Sequence, residues 1–128
     1  MSMIAEEYYL KQTMRQRIND VSIYYFLHMV EFQKSPHRMF TCYSGTHSFF
    51  MDAYGNIYPC IMLSKRIGNI LYSSFDELWF SKRAYEVRRF IKDKKCYCWT
   101  PCETCPSLSR DPKVLLWNVK EIVRRGMM

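Results

Sequence analysis

Glycine and acidic residues are scarce in this sequence, and long apolar runs are missing. The 128 residues include four glycines, and 12 acidic residues stand against 19 basic ones, which gives a net charge of +7. No stretch reaches the roughly 18–20 consecutive apolar residues of a transmembrane helix. The first residues, MSMIAEEYYLKQTMRQ, are acidic where a secretory signal has a basic flank and an apolar run. The sequence therefore predicts a cytoplasmic protein without a membrane span.

The apolar content is high enough to form a packed core. Hydrophobic residues make up 48% of the chain and aromatic residues 16%, which excludes a disordered segment. A chain of this length most often forms one domain.

The N-terminal third has the periodicity of a helix. Apolar residues recur at three- and four-residue steps and predict a helix over 5–33, with a break at Asn19-Asp20 and a second helix opening at Ser22. Pro36 ends the pattern. The predicted apolar face consists of Leu10, Met14, Ile18, Val21, Tyr25, Met29 and Phe32.

Two later segments also have helical patterns. Ser74 and Glu77 match a capping box and predict a helix over about 75–93, with Ser81 as a candidate interruption. Asp111-Pro112 predicts the start of a final helix, with an N-cap followed by proline at the first helical position. The expected buried residues of these two helices are Leu78, Tyr85, Phe90, Ile91, Leu115, Leu116, Val119 and Ile122.

Residues 48–60 have the pattern of a β-hairpin, because two strand-like runs surround a turn. Asp52 stands at the first corner of this turn, and Gly55 is free to adopt a positive φ. The two ends of a hairpin lie close together in space. Cys42, before the first strand, and Cys60, at the end of the second, can therefore meet although they are distant in sequence.

Six cysteines are the most unusual feature, and four of them fall within residues 96–105. Nothing in the sequence directs secretion, and clustered cysteines in a reducing compartment favour metal binding over disulfides. Prolines and the lack of helical periodicity predict a loop over 94–111. Zinc sites usually take their ligands in two tight pairs, whereas the ligands of iron–sulfur clusters bind different irons and tolerate irregular spacing. Iron–sulfur is therefore favoured, with zinc as the alternative.

Basic residues are concentrated in the second half of the chain. A solvated helical face explains them more simply than nucleic-acid binding does, because no nucleic-acid motif accompanies them. Cations near a negatively charged cluster would also stabilise it. The residues are Lys82, Arg83, Arg88, Arg89, Lys92, Lys94, Lys95, Arg110, Lys113, Lys120, Arg124 and Arg125.

The spacing Cys98-x3-Cys102-x2-Cys105 matches the three-cysteine signature of radical S-adenosylmethionine enzymes. In that family the signature lies near the start of a partial barrel. The residues that follow Cys105 are too few to form this barrel, so the match is interpreted as chance.

The hairpin and the cysteine loop together resemble the SPASM or twitch domain, which follows the barrel in many radical S-adenosylmethionine enzymes. The resemblance covers about residues 42–105, and its four pieces occur in the family's order. They are Cys42 with its following strand, Gly55-x4-Cys60, Ile67-Gly-Asn-Ile70 with Phe75-Asp-Glu-Leu-Trp79, and Cys98-Trp-Thr-Pro-Cys102-Glu.

The resemblance implies an auxiliary cluster, usually [4Fe–4S], and a single one, because six cysteines do not fully ligate two. It implies Cys42 and Cys60 as metal ligands, with Cys98 and Cys102 as the preferred completing pair. Cys96 and Cys105 are the alternates. The sequence departs from the full family pattern of seven cysteines.

By the same resemblance, the domain relays electrons or positions a peptide or small-molecule substrate for a radical S-adenosylmethionine core, which is a separate domain or subunit. It is not expected to be catalytic alone. The alternative is a zinc-stabilised basic module that contacts nucleic acid or protein.

The fold class expected from these features is α+β: a small cysteine-rich domain with a β-hairpin, a cluster-binding loop and flanking helices. Residues 1–40 are predicted to be a helical segment that connects from a barrel. Residues 41–128 are predicted to form the SPASM- or twitch-like domain with its C-terminal helix.

Overall fold

Helices flank a small antiparallel sheet in the computed structural model, which describes Glu7 and residues 11–126. The α+β class is confirmed. Within the described residues the elements are, in chain order, α1 (Met14–Asn19), α2 (Ser22–Lys34), β1 (Phe50–Met51), β2 (Asn56–Tyr58), β3 (Gly68–Asn69), α3 (Phe75–Trp79), α4 (Lys82–Lys92), α5 (Pro101–Leu108) and α6 (Pro112–Arg124).

The N-terminal helical segment is divided at the position predicted from the sequence. Helix α1 ends at Asn19 and α2 begins at Ser22, whose backbone N–H donates to the Asp20 carboxylate at 2.8 Å. The prediction of a continuous helix from residue 5 to the break at Asn19-Asp20 is wrong at residues 11–13, which are not helical, because Thr13 forms a capping box with Gln16 and begins α1. The predicted core residue Leu10 lies outside the described residues.

The three strands form one antiparallel sheet in the order β1-β2-β3. The predicted hairpin is confirmed, with Phe50 opposite Tyr58 and Gly55 at a φ of +79°. The Asp52 carboxylate accepts hydrogen bonds from the backbone N–H groups of Tyr54 and Asn56, both at 2.9 Å. Local hydrogen bonding therefore fixes the turn that carries the chain towards Cys60.

The helix predicted over 75–93 consists of two helices. Ser81 accepts a hydrogen bond from the N–H of Ala84 and starts α4 separately from α3. This restart shifts the buried face, because Ala84 and Val87 are buried together with Ile91. The prediction that Tyr85 is buried is wrong, since its side chain is 63% exposed.

The cysteine loop predicted over 94–111 contains helix α5, so the prediction of a segment without helical structure is wrong. Thr100 is the N-cap and Pro101 occupies the first helical turn, where a missing N–H costs little. Thr104 and Leu108, four residues apart, are completely buried on one face. The cysteines and prolines of this segment interrupt any apolar pattern, so the sequence alone does not indicate this buried face.

Helix α6 begins at the predicted Asp111 cap, whose side chain accepts a hydrogen bond from the backbone N–H of Lys113 at 2.9 Å. Its buried face differs from the prediction by about one position. Leu116 and Val119 are exposed, and the buried residues are Val114, Asn118 and Ile122. The Asn118 amide explains the difference, because it donates to the backbone carbonyls of Ile18 and Asp20 at 2.7 and 3.1 Å.

Two hydrophobic clusters form the core. The first joins the sheet to α3 and α4, and the second joins α2 to α5, α6 and the segment between α4 and α5. Cys42 packs against both clusters. The buried members are Ile57, Ile67, Leu78, Ala84, Val87 and Ile91 in the first, and Tyr25, Phe40, Trp99, Leu108 and Val114 in the second.

The Tyr25→Phe substitution should destabilise the fold by about 1–2 kcal/mol, because the buried hydroxyl donates to the Trp99 carbonyl at 2.8 Å. Urea denaturation of the two proteins measures the difference in the free energy of unfolding. Tyr85→Phe is the control, because that side chain is exposed and should change stability little. Equal effects of the two substitutions would contradict the structural role of the Tyr25 hydroxyl.

Candidate metal centre

The cysteines come from four separate parts of the chain. Cys42 precedes β1, Cys60 follows β2, Cys96 and Cys98 lie between α4 and α5, and α5 itself carries Cys102 and Cys105. Cys42 and Cys96 both pack against the first hydrophobic cluster, and Cys42 and Cys98 both pack against the second.

Cys60 is buried, and backbone N–H groups lie beside its sulfur. Burial raises the pKa of Cys60 to about 11, while hydrogen bonds from the backbone N–H groups of Met62 and Leu63 act in the opposite direction. The negative charges of Glu103 and Cys98 raise this pKa further, which places the Cys98 thiol near Cys60. Backbone N–H groups directed at a sulfur are a common means of stabilising a metal-bound thiolate.

Cys96 is paired with a cation from the N-terminal segment. The Arg38 guanidinium donates from Nη2 to the Cys96 sulfur at 2.9 Å, and its Nε donates to the Cys96 carbonyl at 3.0 Å. Burial raises the pKa of Cys96, the charge of Arg38 lowers it, and the charges of Cys42 and Cys98 raise it. Cys96 is therefore close to both of those thiols as well as to a fixed positive charge.

The two cysteines of α5 form a second group. Burial raises the pKa of Cys105, and the charge of Cys102 raises it further. Cys102 is exposed to solvent, whereas Cys60 is buried and the other four cysteines are half-buried. Cys98, Cys102 and Cys105 all lie near Tyr25, because burial and then the charges of Cys105, Cys102 and Cys98 raise the pKa of Tyr25.

The segment around Cys42 is tied to α5 by polar contacts. The buried Ser44 hydroxyl donates to the Glu103 carboxylate, and the Cys42 thiol donates to the Ser44 oxygen at 3.2 Å. The backbone N–H of Tyr43 also donates to the Ser107 hydroxyl at 3.3 Å. These bonds join two cysteine-bearing parts of the chain that are about sixty residues apart in sequence.

Aromatic rings cover one side of this region. Trp99, next to Cys98, stacks on Tyr25 and Phe32 at centroid distances of 5.5 and 5.8 Å, and Phe40 meets it edge-on at 5.8 Å. The indole N–H donates to the Tyr25 carbonyl at 3.1 Å, so the ring has a fixed orientation. Such a wall limits the access of water to the adjacent sulfur atoms.

Sequence reasoning missed Arg38, Ser44 and Glu103 as residues of this region. Arg38 reaches Cys96 across 58 residues, and no local pattern indicates a contact of that kind. Of the histidines near Cys42, His37 is exposed and contacts the Ser35 carbonyl, while His47 is exposed and meets Tyr43 edge-on.

A site for one metal ion and a site for an iron–sulfur cluster need different arrangements of their ligands. Among the described residues, no three cysteine, histidine, aspartate or glutamate side chains are grouped as one metal ion would need. The ligands of an iron–sulfur cluster bind separate irons and surround a larger object than one ion. The six thiols are free in the structure.

Comparison with known families now identifies the domain. The sequence model of the SPASM family, an iron–sulfur cluster-binding domain, matches residues 42–106, which include all six cysteines. The chain belongs to this family, and the resemblance inferred from the sequence is confirmed. No curated protein and no solved structure gives a significant match to the chain.

The helices of the described residues are also too short or too polar to cross a membrane.

The Ser44→Ala substitution should destabilise the fold by about 1.5–3 kcal/mol, because it removes a buried hydrogen bond to the Glu103 carboxylate. Urea denaturation measures the loss. Ser109→Ala serves as the matched control, because that exposed hydroxyl donates to a carbonyl and its loss should cost about 0.5 kcal/mol or less. A Ser44 variant as stable as this control would contradict the proposed link between Cys42 and α5.

Proposed function

We propose that this chain is an auxiliary [4Fe–4S] domain of a radical S-adenosylmethionine enzyme, in which Cys42, Cys60, Cys96 and Cys98 hold one cluster. The family match over residues 42–106 is the observation that carries the proposal, since the matched region contains every cysteine. Its partner would be a radical S-adenosylmethionine core, present as another domain or as a separate subunit.

The choice of four ligands rests on the packing of the cysteines and on the charges that act between them. Cys42 packs against both hydrophobic clusters, Cys96 packs against the first, and Cys98 and Cys105 pack against the second. Cys105 is left out because the cysteine charge that acts on it is that of Cys102. The charges of Cys42 and Cys98 act on Cys96, and the charge of Cys98 acts on Cys60, which supports the same grouping. The sequence-based preference for Cys102 stays a prediction, and the exposure of this thiol argues for Cys96 in its place.

The surroundings of these sulfurs suit a thiolate-bound cluster. The N–H groups at Cys60 and the guanidinium at Cys96 offset negative charge on the two sulfurs. The aromatic wall of Trp99, Tyr25, Phe32 and Phe40 keeps water from one side. A bound cluster of this kind supplies one-electron transfer, and hydrogen bonding and burial set its potential.

The arrangement supports both functions expected of the domain. Shielding and fixed hydrogen bonds suit a relay that passes electrons to or from the catalytic core. The segment that carries Cys42 also borders an open cleft, so the same domain can hold a substrate near the core.

Single cysteine-to-alanine variants test the ligand set. After anaerobic reconstitution, the wild-type chain should be brown and hold about four irons. Alanine at position 42, 60, 96 or 98 should reduce the iron content to less than half, because each removes one ligand. Cys102→Ala and Cys105→Ala are the matched controls and should retain the iron.

Iron and zinc analysis of the same samples gives clear contrary outcomes. Iron retained by Cys96→Ala, together with iron lost from Cys102→Ala, would replace Cys96 by Cys102 in the ligand set. Iron retained by Cys60→Ala would reject Cys60 as a ligand. A colourless protein with one zinc per chain would reject the cluster itself and support the zinc-stabilised alternative.

A further inference from the structure

A cleft of about 790 Å³ opens beside Cys42. Its walls come from residues 38–47, from α4 with the turn that follows it, and from the start of α6. Ligand sites of proteins commonly enclose about 300–1,000 Å³, so this cleft is large enough for a molecule of several residues.

Positive charge dominates the cleft. Six basic and two acidic side chains line it, and the acidic ones are already engaged. Asp111 caps α6, and the Asp93 carboxylate lies 3.9 Å from Arg89. The six basic residues are Arg38, Arg88, Arg89, Lys92, Lys94 and Lys113.

Arg88 is held rigidly in this wall. Its guanidinium lies over the Trp79 ring at 4.4 Å, and Nε donates to the Gly45 carbonyl at 2.6 Å. Its Nη2 is buried and has no hydrogen-bond partner among the described residues. Arg88 was expected on a solvated helical face, but packing removes much of it from solvent. Buried polar groups without partners are rare, and the fixed guanidinium adds positive charge to the wall of the cleft.

Lys94 adds a second and independent observation. It follows α4 with a φ of +57°, a left-handed conformation in which helix ends usually have glycine. The N–H groups of Lys94 and Lys95 close the helix end onto the carbonyls of Ile91 and Phe90. A lysine that adopts this strained conformation is costly for the fold, and such strain is often found at functional sites.

Aromatic hydroxyls complete the lining. Tyr24, Tyr43 and Tyr85 border the cleft, and their rings offer apolar contact together with hydrogen bonds. Rings of this kind bind an extended organic ligand better than they bind a lone inorganic ion.

We propose that this cleft binds a carboxylate-rich ligand with the dimensions of a short acidic peptide. The carboxylates would meet Arg88, Lys94 and Lys113, and the body of the ligand would lie against the tyrosines. The proposal rests on the cleft and its charges, and it does not depend on the cluster. Because Cys42 also lines the cleft, a bound ligand would nevertheless lie beside one of the cysteines.

Fluorescence anisotropy with fluorescein-labelled tetraglutamate tests the proposal on the full chain, with iron content recorded for every sample. Tetraglutamate should bind, its affinity should fall with rising salt, and tetraglutamine should not bind. The double variant K94G/K113Q should bind about two- to five-fold more weakly for each charge removed, as expected for partly exposed ion pairs.

The matched control is K82Q/K120Q, which removes two exposed lysines that do not line the cleft. It should bind tetraglutamate like the wild type. The thermal midpoint of K94G alone should be equal to or above that of the wild type, since glycine relieves the positive φ. If a variant at Lys94 binds tetraglutamate more weakly while its thermal midpoint is not lowered, the lysine contacts the ligand and does not act through the stability of the fold.

Three outcomes would overturn the proposal. The first is that K82Q/K120Q weakens binding as much as K94G/K113Q, which would indicate only general attraction to a basic surface. The second is that tetraglutamine binds as tightly as tetraglutamate, or that tetraglutamate does not bind at all. The third is that a short single-stranded DNA depends on Lys94 and Lys113 while tetraglutamate does not, which would assign the cleft to nucleic acid.

Discussion

Two reciprocal hydrogen bonds between Tyr25 and Trp99 position the segment on which the candidate centre depends. The Tyr25 hydroxyl donates to the Trp99 carbonyl and the indole N–H donates to the Tyr25 carbonyl, between residues 74 positions apart. Cys98 immediately precedes Trp99, so its location is set by a helix from the other end of the domain. Arg38 also holds this segment, because its guanidinium donates to the backbone carbonyl of Cys96.

Local features of the fold could be read from the sequence, because neighbouring residues decide them. Gly55 and Asp52 define the hairpin turn, and Ser74 with Glu77 forms the predicted capping box. Asp111 likewise caps the last helix as its sequence indicates. In each case, the side chain and the backbone group that it satisfies are within four residues of each other.

Features that depend on distant contacts could not be predicted in this way. The buried face of α6 is set by Asn118, whose partners are about a hundred residues away. The contact of Arg38 with Cys96 and that of Ser44 with Glu103 are of the same kind. For this reason, the sequence identified six candidate cysteines but did not determine how they are grouped.

The candidate centre and the basic cleft meet at residues 42–45. Cys42 belongs to the proposed ligand set, Ser44 ties the segment to α5, and the Gly45 carbonyl holds Arg88. A side chain at position 45 would bring its Cβ within 3.0 Å of the Pro59 Cβ, and the φ of +74° also favours glycine. Four consecutive residues thus connect cysteine chemistry with anion recognition, and a shift of this segment would alter both.

The Asn118 amide has a consequence for the dynamics of the whole chain. By donating to the carbonyls of Ile18 and Asp20, it holds the end of α1 against the middle of α6. Isolated terminal helices usually fray independently and exchange their amide hydrogens rapidly. Here the opening of either helix breaks the buried polar contacts of the other, so the two edges of the domain should open as one cooperative unit.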